Sequence, residues 1–396
     1  MRSMVTAACR DPGMARTRAA ALHAAAWLIG LMLIGGAVAA APVPGPPEVK
    51  AAAWLVQDHH SGHIIAQHNA DERVEPASLT KILTTYVVFA ELRAGKIALD
   101  DQVLISRKAW QMPGSRMFIE VDTRVAVDAL IKGVAIQSGN DASVALAEHV
   151  AGDESAFSEL MNQYARRLGL ANSHFVNASG LPDPQHYTTA RDMARLASAM
   201  IRDFPDLYPV HAQKQFVFNN ITQHNRNRLL WQDESVDGLK TGHTQAAGYC
   251  LVVSALRDGM RLVSVLMGAD SERARARYSS ALLAYGFRFF ETHKLYGAGT
   301  PVRDVRVWKG ERETVALGLG EDLYVTVPRG QYQRLDPRME VDAQLQAPLT
   351  KGDVRGKLMV DFDGAVIAQR PLTVLHGVGE GSLWRKASDS VRLWFQ

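Results

Sequence analysis

Five side chains in this sequence, Ser78, Lys81, Ser138, Asn140 and Lys240, have the types and spacing for nucleophilic catalysis by serine. Ser78 and Lys81 stand three apart in Pro76-Ala77-Ser78-Leu79-Thr80-Lys81. On a helix they share a face, which brings the amine within hydrogen-bonding reach of the hydroxyl. A serine hydroxyl is a poor nucleophile until a base takes its proton. Lysine serves as that base when burial and neighbouring cations lower its pKa. Lys240 is such a neighbour on this reading: its charge helps keep Lys81 neutral and orients a substrate carboxylate. Taken alone, Ser-x-x-Lys is a weak signal, because two common residues at one offset recur by chance and describe a solvated helix pair equally well.

Two further segments change that weight. In Ser138-Gly139-Asn140 the hydroxyl can relay a proton and the amide can hold a substrate carbonyl. In Lys240-Thr241-Gly242 the threonine offers a hydroxyl to a carboxylate, and the glycine lets a substrate backbone lie close against a strand. Each tripeptide alone reads as a turn; all three in this order are specific. His59, His60 and His63 cluster at a turn without a Cys, Asp or Glu at ligand spacing. They read as scattered surface histidines, and neither a metal nor a cofactor is expected. With lysine as base, no His–Asp partnership is needed.

These residues must be held by an α/β framework. Ala51 to Val56 and His63 to Ala66 read as strands around a turn at Asp58 to Gly62. Pro76-Ala77-Ser78 opens an apolar helix from Leu79 to Leu92, stopping near Gly95. Val127 to Ile136 and Ala142 to Val150 flank the Ser138 loop as helices, followed by Glu159 to Leu168 and the amphipathic Ala190 to Arg202. Tyr249 to Leu256 and Leu262 to Met267 form a hairpin about Arg257-Asp258-Gly259, and a helix runs from Glu272 to Glu291. Thereafter come short strands: Thr314 to Leu317, Leu323 to Val327, Val341 to Leu345, Lys357 to Phe362 and Val366-Ile367, with Asp363-Gly364 as a hairpin turn. The expected organisation is a catalytic domain over 48–294, an all-β domain over 295–380 and a terminal helix over 382–396.

The ends of the chain place it. Residues 1–41 read as an export signal: Arg16 and Arg18 precede an apolar run from Ala24 to Ala41, and Ala37-Val38-Ala39 fits a signal-peptidase site. The alternative is a retained anchor. Met14 is the expected start of translation, since residues 1–13 add nothing recognisable. Only Cys9 and Cys250 occur, so the mature chain has no internal disulfide, and Cys250 in its apolar run reads as a buried strand thiol. In the last segment Leu383, Trp384, Ala387, Val391, Trp394 and Phe395 share one helical face, with Arg385, Asp389 and Arg392 opposite. That pattern describes a helix lying in a membrane interface, the alternative being a helix packed on its own domain. The formal net charge of +3 on 396 residues argues against nucleic acid as a partner.

At this point the chain resembles the low-molecular-mass penicillin-binding proteins that act as D-alanyl-D-alanine carboxypeptidases on peptidoglycan. Besides the three motifs, the resemblance is carried by Lys240-Thr241-Gly242-His243-Thr244 with Ala247-Gly248-Tyr249 and by Gly286-Phe287-Arg288-Phe289-Phe290-Glu291-Thr292. Val327-Pro328-Arg329-Gly330 and Arg370-Pro371-Leu372 extend it into the β domain. It implies a β-lactamase/transpeptidase-like α/β catalytic domain, a small all-β domain and an amphipathic tail on the periplasmic face of the inner membrane. It also implies that Ser78 attacks the carbonyl between the terminal D-alanines of a stem pentapeptide with Lys81 as base. Ser138 and Lys240 would pass the proton to the departing D-alanine, and the backbone N–H groups of Ser78 and His243 would hold the oxyanion. Thr241, Gly242, His243, Thr244 and Arg275 would bind substrate, with Arg273 and Arg277 flanking the aligned arginine. β-Lactams would acylate Ser78. A β-lactamase or a non-catalytic wall-binding scaffold are the competing readings. No Glu-x-x-Leu-Asn segment of the kind class A β-lactamases use lies between Asn140 and Lys240, and the complete catalytic set disfavours the scaffold.

Overall fold

A computed structural model describes residues 43–395. The export signal, Cys9 and the start at Met14 lie outside the described residues. The frame of the site is a five-stranded antiparallel sheet in the spatial order Ile64–His68, Ala53–Asp58, Met260–Ala269, Gly248–Arg257, Val236–Thr244. Its last three strands are long and apolar because both faces are covered. Val263, Val265 and Met267 point into the main core with the helix Ala190–Asp203, whereas Leu262 on the other face lies against Gly286 of the helix Glu272–Phe289. The strand Val236–Thr244 stands at the sheet edge, with one side of its backbone ladder unpaired by the sheet.

The helix Thr80–Arg93 runs through the core, with Leu83, Val87 and Phe89 fully buried. A helix apolar all round is one buried all round. Ser78 itself sits in a 3₁₀ turn, Ala77–Leu79, just before it. The expected helix from Val127 to Ile136 is α-helical only over Val127–Lys132 and widens into a π turn over Gly133–Gln137. Ser138 then takes a left-handed conformation, φ 64°, and the next helix starts at once, Asn140–Ala151. Glu154–Arg167 begins before the expected Glu159, because the Asp153 side chain caps it by accepting from the Ala156 N–H.

The helix expected to reach Glu291 ends at Phe289, and Phe290–Tyr296 is instead a strand paired with Leu323–Pro328. A six-stranded sheet follows, in the order Leu335–Val341, Val354–Phe362, Ala365–Val374, Thr314–Gly318, Pro301–Trp308, Leu345–Gln346. Asp363 and Gly364, both at positive φ, make its two-residue hairpin turn. The strands Pro301–Trp308 and Leu335–Val341 are additions to the sequence reading. The second is disguised by Pro337, tolerated because this strand lies at the sheet edge.

The histidine cluster sits at the joint between these two parts, with His60 and His63 exposed, as read from the sequence, and His59 half-buried. His60 stacks on Tyr324 at 4.7 Å between centroids, and His63 faces Phe290 at 6.2 Å. Burial pushes His59 down to about 4, so it stays neutral near pH 7. Beside them the buried Asp58 accepts from Ser61 (N–H 2.7 Å, O–H 2.9 Å) and from Thr292 (2.8 Å), and Thr326 bridges Ser61 and Thr292.

The terminal helix, Leu383–Trp394, is capped by Ser382 and seated by its polar side. Asp389 is buried and accepts from the Lys309 N–H at 2.7 Å, and Arg385 pairs with Glu313. The opposite face is left in solvent: Leu383 and Trp384 are each 85% exposed, Trp394 86% and Phe395 81%.

Candidate active site

Three elements converge on Lys81, which is fully buried. Its Nζ lies 3.1 Å from Ser78 Oγ, 2.7 Å from Asn140 Oδ1 and 2.5 Å from the Ser179 carbonyl. The orientation of the Asn140 amide follows from its other end: Nδ2 donates to the Pro113 carbonyl at 2.6 Å, which can only accept, so Oδ1 must face Lys81. Two of the three partners of Lys81 are therefore acceptors alone. A neutral amine has two N–H donors and one lone pair, so the lone pair is left pointing at Ser78 Oγ. Burial pulls Lys81 down to about 7, helped by the Arg226 charge and opposed by Asp141. That is the range in which an amine is neutral often enough to act as a general base.

The sequence reading assigned the neighbouring cation to Lys240, but the charge that acts most on Lys81 is Arg226. Lys240 does its work on Ser138: Nζ lies 2.9 Å from Ser138 Oγ and 3.0 Å from the Thr241 carbonyl. Burial, then the charges of Lys81, Arg226 and Arg275, hold Lys240 well below the usual lysine range. Two amines and two hydroxyls thus form two adjacent pairs, Lys81 with Ser78 and Lys240 with Ser138.

Ser78 and Ser138 of these pairs line a cleft of about 480 Å³ whose wall includes Gly114, Ser115, Thr241, Gly242, His243, Tyr249 and Arg275. The edge strand supplies one side, with its free ladder available to an extended peptide. His243 is exposed there and packs on Tyr249 with the rings tilted by 32° and their centroids 4.1 Å apart. Arg275 is buried against Glu272, 3.5 Å away, and burial lowers its pKa; Arg273 and Arg277 do not line the cleft. Cys250, opposite Gly242 in the ladder, is buried, and burial raises its thiol to about 11, so it is unreactive.

One expectation gains a second reason and one changes. Gly242 lines the cleft, and a Cβ there would lie 3.1 Å from the Pro76 carbonyl and 3.3 Å from the Ala77 Cβ. The glycine lets the edge strand pack against the turn that carries Ser78. Thr244 is not brought to the cleft wall: its hydroxyl accepts from the Ala247 N–H at 2.9 Å and meets Glu75 at 3.3 Å, closing the turn after the strand.

The residues that sequence reasoning missed come from loops. Ser179 offers its carbonyl from a turn tied by Asn177 Oδ1 to the Gly180 N–H at 2.7 Å. Arg226 stands between two buried asparagines, Asn225 holding the His211 and Gln213 carbonyls and Asn227 the Gly238 carbonyl. No periodicity marks either segment. The alternation of buried Asn with Arg at 225–227 was the one available signal.

With this geometry in place, comparisons with known proteins agree. A family described as D-alanyl-D-alanine carboxypeptidase matches residues 39–271, and one described as Penicillin-binding protein 5, C-terminal domain, matches residues 290–380. The D-alanyl-D-alanine carboxypeptidase DacC of Escherichia coli (strain K12) is 47% identical over 357 residues, which is 88% of this chain and 89% of the relative. The enzyme DacA of Haemophilus influenzae is 44% identical over 350 residues, 87% of this chain and 89% of the relative. The crystal structure of penicillin binding protein 5 from Haemophilus influenzae superposes with a TM-score of 0.82 at 44% identity, over 85% of this chain and 100% of that one.

Proposed function

The chain belongs to the D-alanyl-D-alanine carboxypeptidase family, and on that premise we propose that Ser78, Lys81, Ser138, Asn140 and Lys240 release the terminal D-alanine of peptidoglycan stem peptides. The observation that carries the assignment is the Lys81 amine with two obligate acceptors and one lone pair facing Ser78. Lys81 takes the Ser78 proton as Oγ bonds to the carbonyl carbon of the penultimate residue. The oxyanion sits between the backbone N–H groups of Ser78 and His243. As the C–N bond breaks, the proton passes to the departing amine through Ser138 and Lys240. Water then attacks the ester, Lys81 takes its proton, and Ser78 leaves as the hydroxyl. Arg275 and Thr241 receive the terminal carboxylate. A β-lactam enters by the same first step, but its amine stays tethered to the acyl group and the ester persists.

Intact mass spectrometry separates the readings. Incubation with a peptide ending in D-Ala-D-Ala releases one D-alanine per turnover, and incubation with penicillin gives one stable adduct on Ser78. Fast penicillin turnover without an adduct identifies a β-lactamase, and no reaction with either compound leaves only a scaffold.

The protein works at a membrane surface on this reading, exported and held on the periplasmic face of the inner membrane by its tail. In support, the apolar side of the helix Leu383–Trp394 is exposed while its polar side is engaged by the β domain. Among the described residues no helix is long and apolar enough to cross a membrane. The double variant Trp384→Ser/Trp394→Ser removes no packing contact of the folded body. It is expected to weaken binding to phosphatidylethanolamine–phosphatidylglycerol vesicles by about 3 kcal/mol, on the order of a hundredfold. Co-sedimentation measures this, and wild-type protein that stays in the supernatant defeats the reading.

A further inference from the structure

The carboxylate of Asp141 is buried beside the site yet touches none of the five reacting groups. It gathers a row of peptide N–H groups instead: Met117 at 3.0 Å on Oδ1, Phe118 at 3.0 Å and Ile119 at 3.4 Å on Oδ2, and Ala142 at 2.9 Å. The segment so held, residues 113–119, is the one whose Pro113 carbonyl fixes the Asn140 amide and whose Gly114 and Ser115 line the cleft. It has no regular structure of its own, and Phe118 lies in the left-handed region at φ 65°. Its other ties are the Asn140 N–H to the Ser115 carbonyl at 2.6 Å, Gln223 Nε2 to the Met117 carbonyl at 2.9 Å and Asn219 Nδ2 to the Phe118 carbonyl at 3.3 Å. The fit is close: a Cβ on Gly114 would lie 2.9 Å from Asn140 Nδ2, and one on Gly139 2.7 Å from Asp141 Oδ1.

We infer that Asp141 is a positioning residue for acyl transfer: it clamps the 113–119 segment so that Pro113 holds Asn140, and Asn140 holds Lys81 with its lone pair on Ser78. The inference rests on the roles given above to Ser78 and Lys81. A carboxylate suits the task because it accepts from several N–H groups at once, whereas any donor in its place would meet those hydrogens head-on. The same charge also bears on Lys81. The charges that act on the amine are Arg226 from the 223–227 segment and Asp141, and the Lys81 charge in turn acts on Lys240 of the edge strand and on His186 of the loop after Ser179. Only Asp141 favours the protonated amine strongly enough to oppose the burial.

Asp141→Asn keeps the shape, removes the charge and turns an NH₂ toward the clamped hydrogens. The second-order rate constant for penicillin acylation, measured against pH on the full chain, is expected to fall at least tenfold at its alkaline plateau. Its acid limb should move to lower pH by about half a unit, since Lys81 loses a stabilising anion. A merely structural aspartate would lower the melting temperature and leave the limb in place. Gln223→Ala loosens the same segment from its other side without changing charge, so its plateau should fall several-fold with the limb unmoved. A folded Asp141→Asn protein with wild-type plateau and limb overturns the inference. Should that variant not fold, wild-type acylation by Gln223→Ala overturns it. Failure of the wild-type protein to be acylated at Ser78 sinks the underlying reading instead, so the two failures are distinct.

Discussion

Lys81→Ala lowers the rate constant for acylation of Ser78 by about 10³-fold or more, the range expected when a general base is removed. The effect should exceed that of any other substitution that spares Ser78. In the wild-type protein Lys81 titrates at about 7, so the base form is the majority species above that pH and the minority below it. The acylation rate therefore climbs as pH rises through 7 and levels off above. In the alanine variant the part of that rise due to Lys81 disappears. Removing the side chain leaves the Ser179 carbonyl and Asn140 Oδ1 without a partner, at about 1–3 kcal/mol each, while it removes the burden of a buried amine. Folding is thus expected to survive, and calorimetry checks this independently of the kinetics. Rapid-mixing measurements with a fluorescent penicillin decide the point: a variant that acylates at the wild-type rate at pH 9 removes Lys81 from the role of base.

Gly180→Ala strikes the site from behind. Gly180 has φ 83°, and a Cβ there would stand 1.8 Å from the Ala77 carbonyl oxygen and 2.8 Å from Thr80 Oγ1. The nearest obstacle is backbone, so no rotamer change relieves it. Left-handed strain and forced displacement of the Ser78 turn together cost about 3–5 kcal/mol. Because the Ser179 carbonyl accepts from Lys81, the shift also spoils the base, and acylation should fall about tenfold or more in whatever protein folds. Gly169→Ala is the control: its φ of 71° is equally left-handed, but nothing lies within 4 Å of its Cβ, so only about 1 kcal/mol is lost. Thermal melts that show equal shifts for the two variants would refute the steric account.

What could be read in the sequence was what short covalent spacing dictates. Ser78 and Lys81 are one turn apart in any helical backbone, and the asparagine of Ser138-Gly139-Asn140 stands at the start of its helix in the fold as it did in the text. The edge strand of Lys240 was visible as a strand, though its edge position is a property of the whole sheet. Asp141, Ser179 and Arg226 were not legible, because each acts through a backbone carbonyl, a row of peptide N–H groups or a distant charge, and none of these leaves a pattern of side-chain types. Gly242 lines the cleft, and the close approach to Ala77 that it also permits was not announced by the sequence. Phe290-Glu291 continued a helical period yet folded as a strand, because Leu323–Pro328 offers it a ladder that no local pattern announces. The terminal helix was legible throughout, its two faces differing too strongly in polarity to be mistaken.

The joint around Asp58 has an effect on where the enzyme can work. The Asp58–Thr292–Thr326–Ser61 ring, the His60–Tyr324 stack and the Arg329 bonds to the Phe287 and Phe290 carbonyls tie the cleft-bearing part firmly to the part that carries the tail. Were the tail seated on a lipid sheet as proposed above, the enzyme would drift in two dimensions, at a set height and with its mouth turned at a set angle. It would then sample a thin stratum of the wall above it. Loosening Asp58 would leave every reacting atom where it is and widen that stratum, so that which strands of the mesh are trimmed becomes a matter of aim.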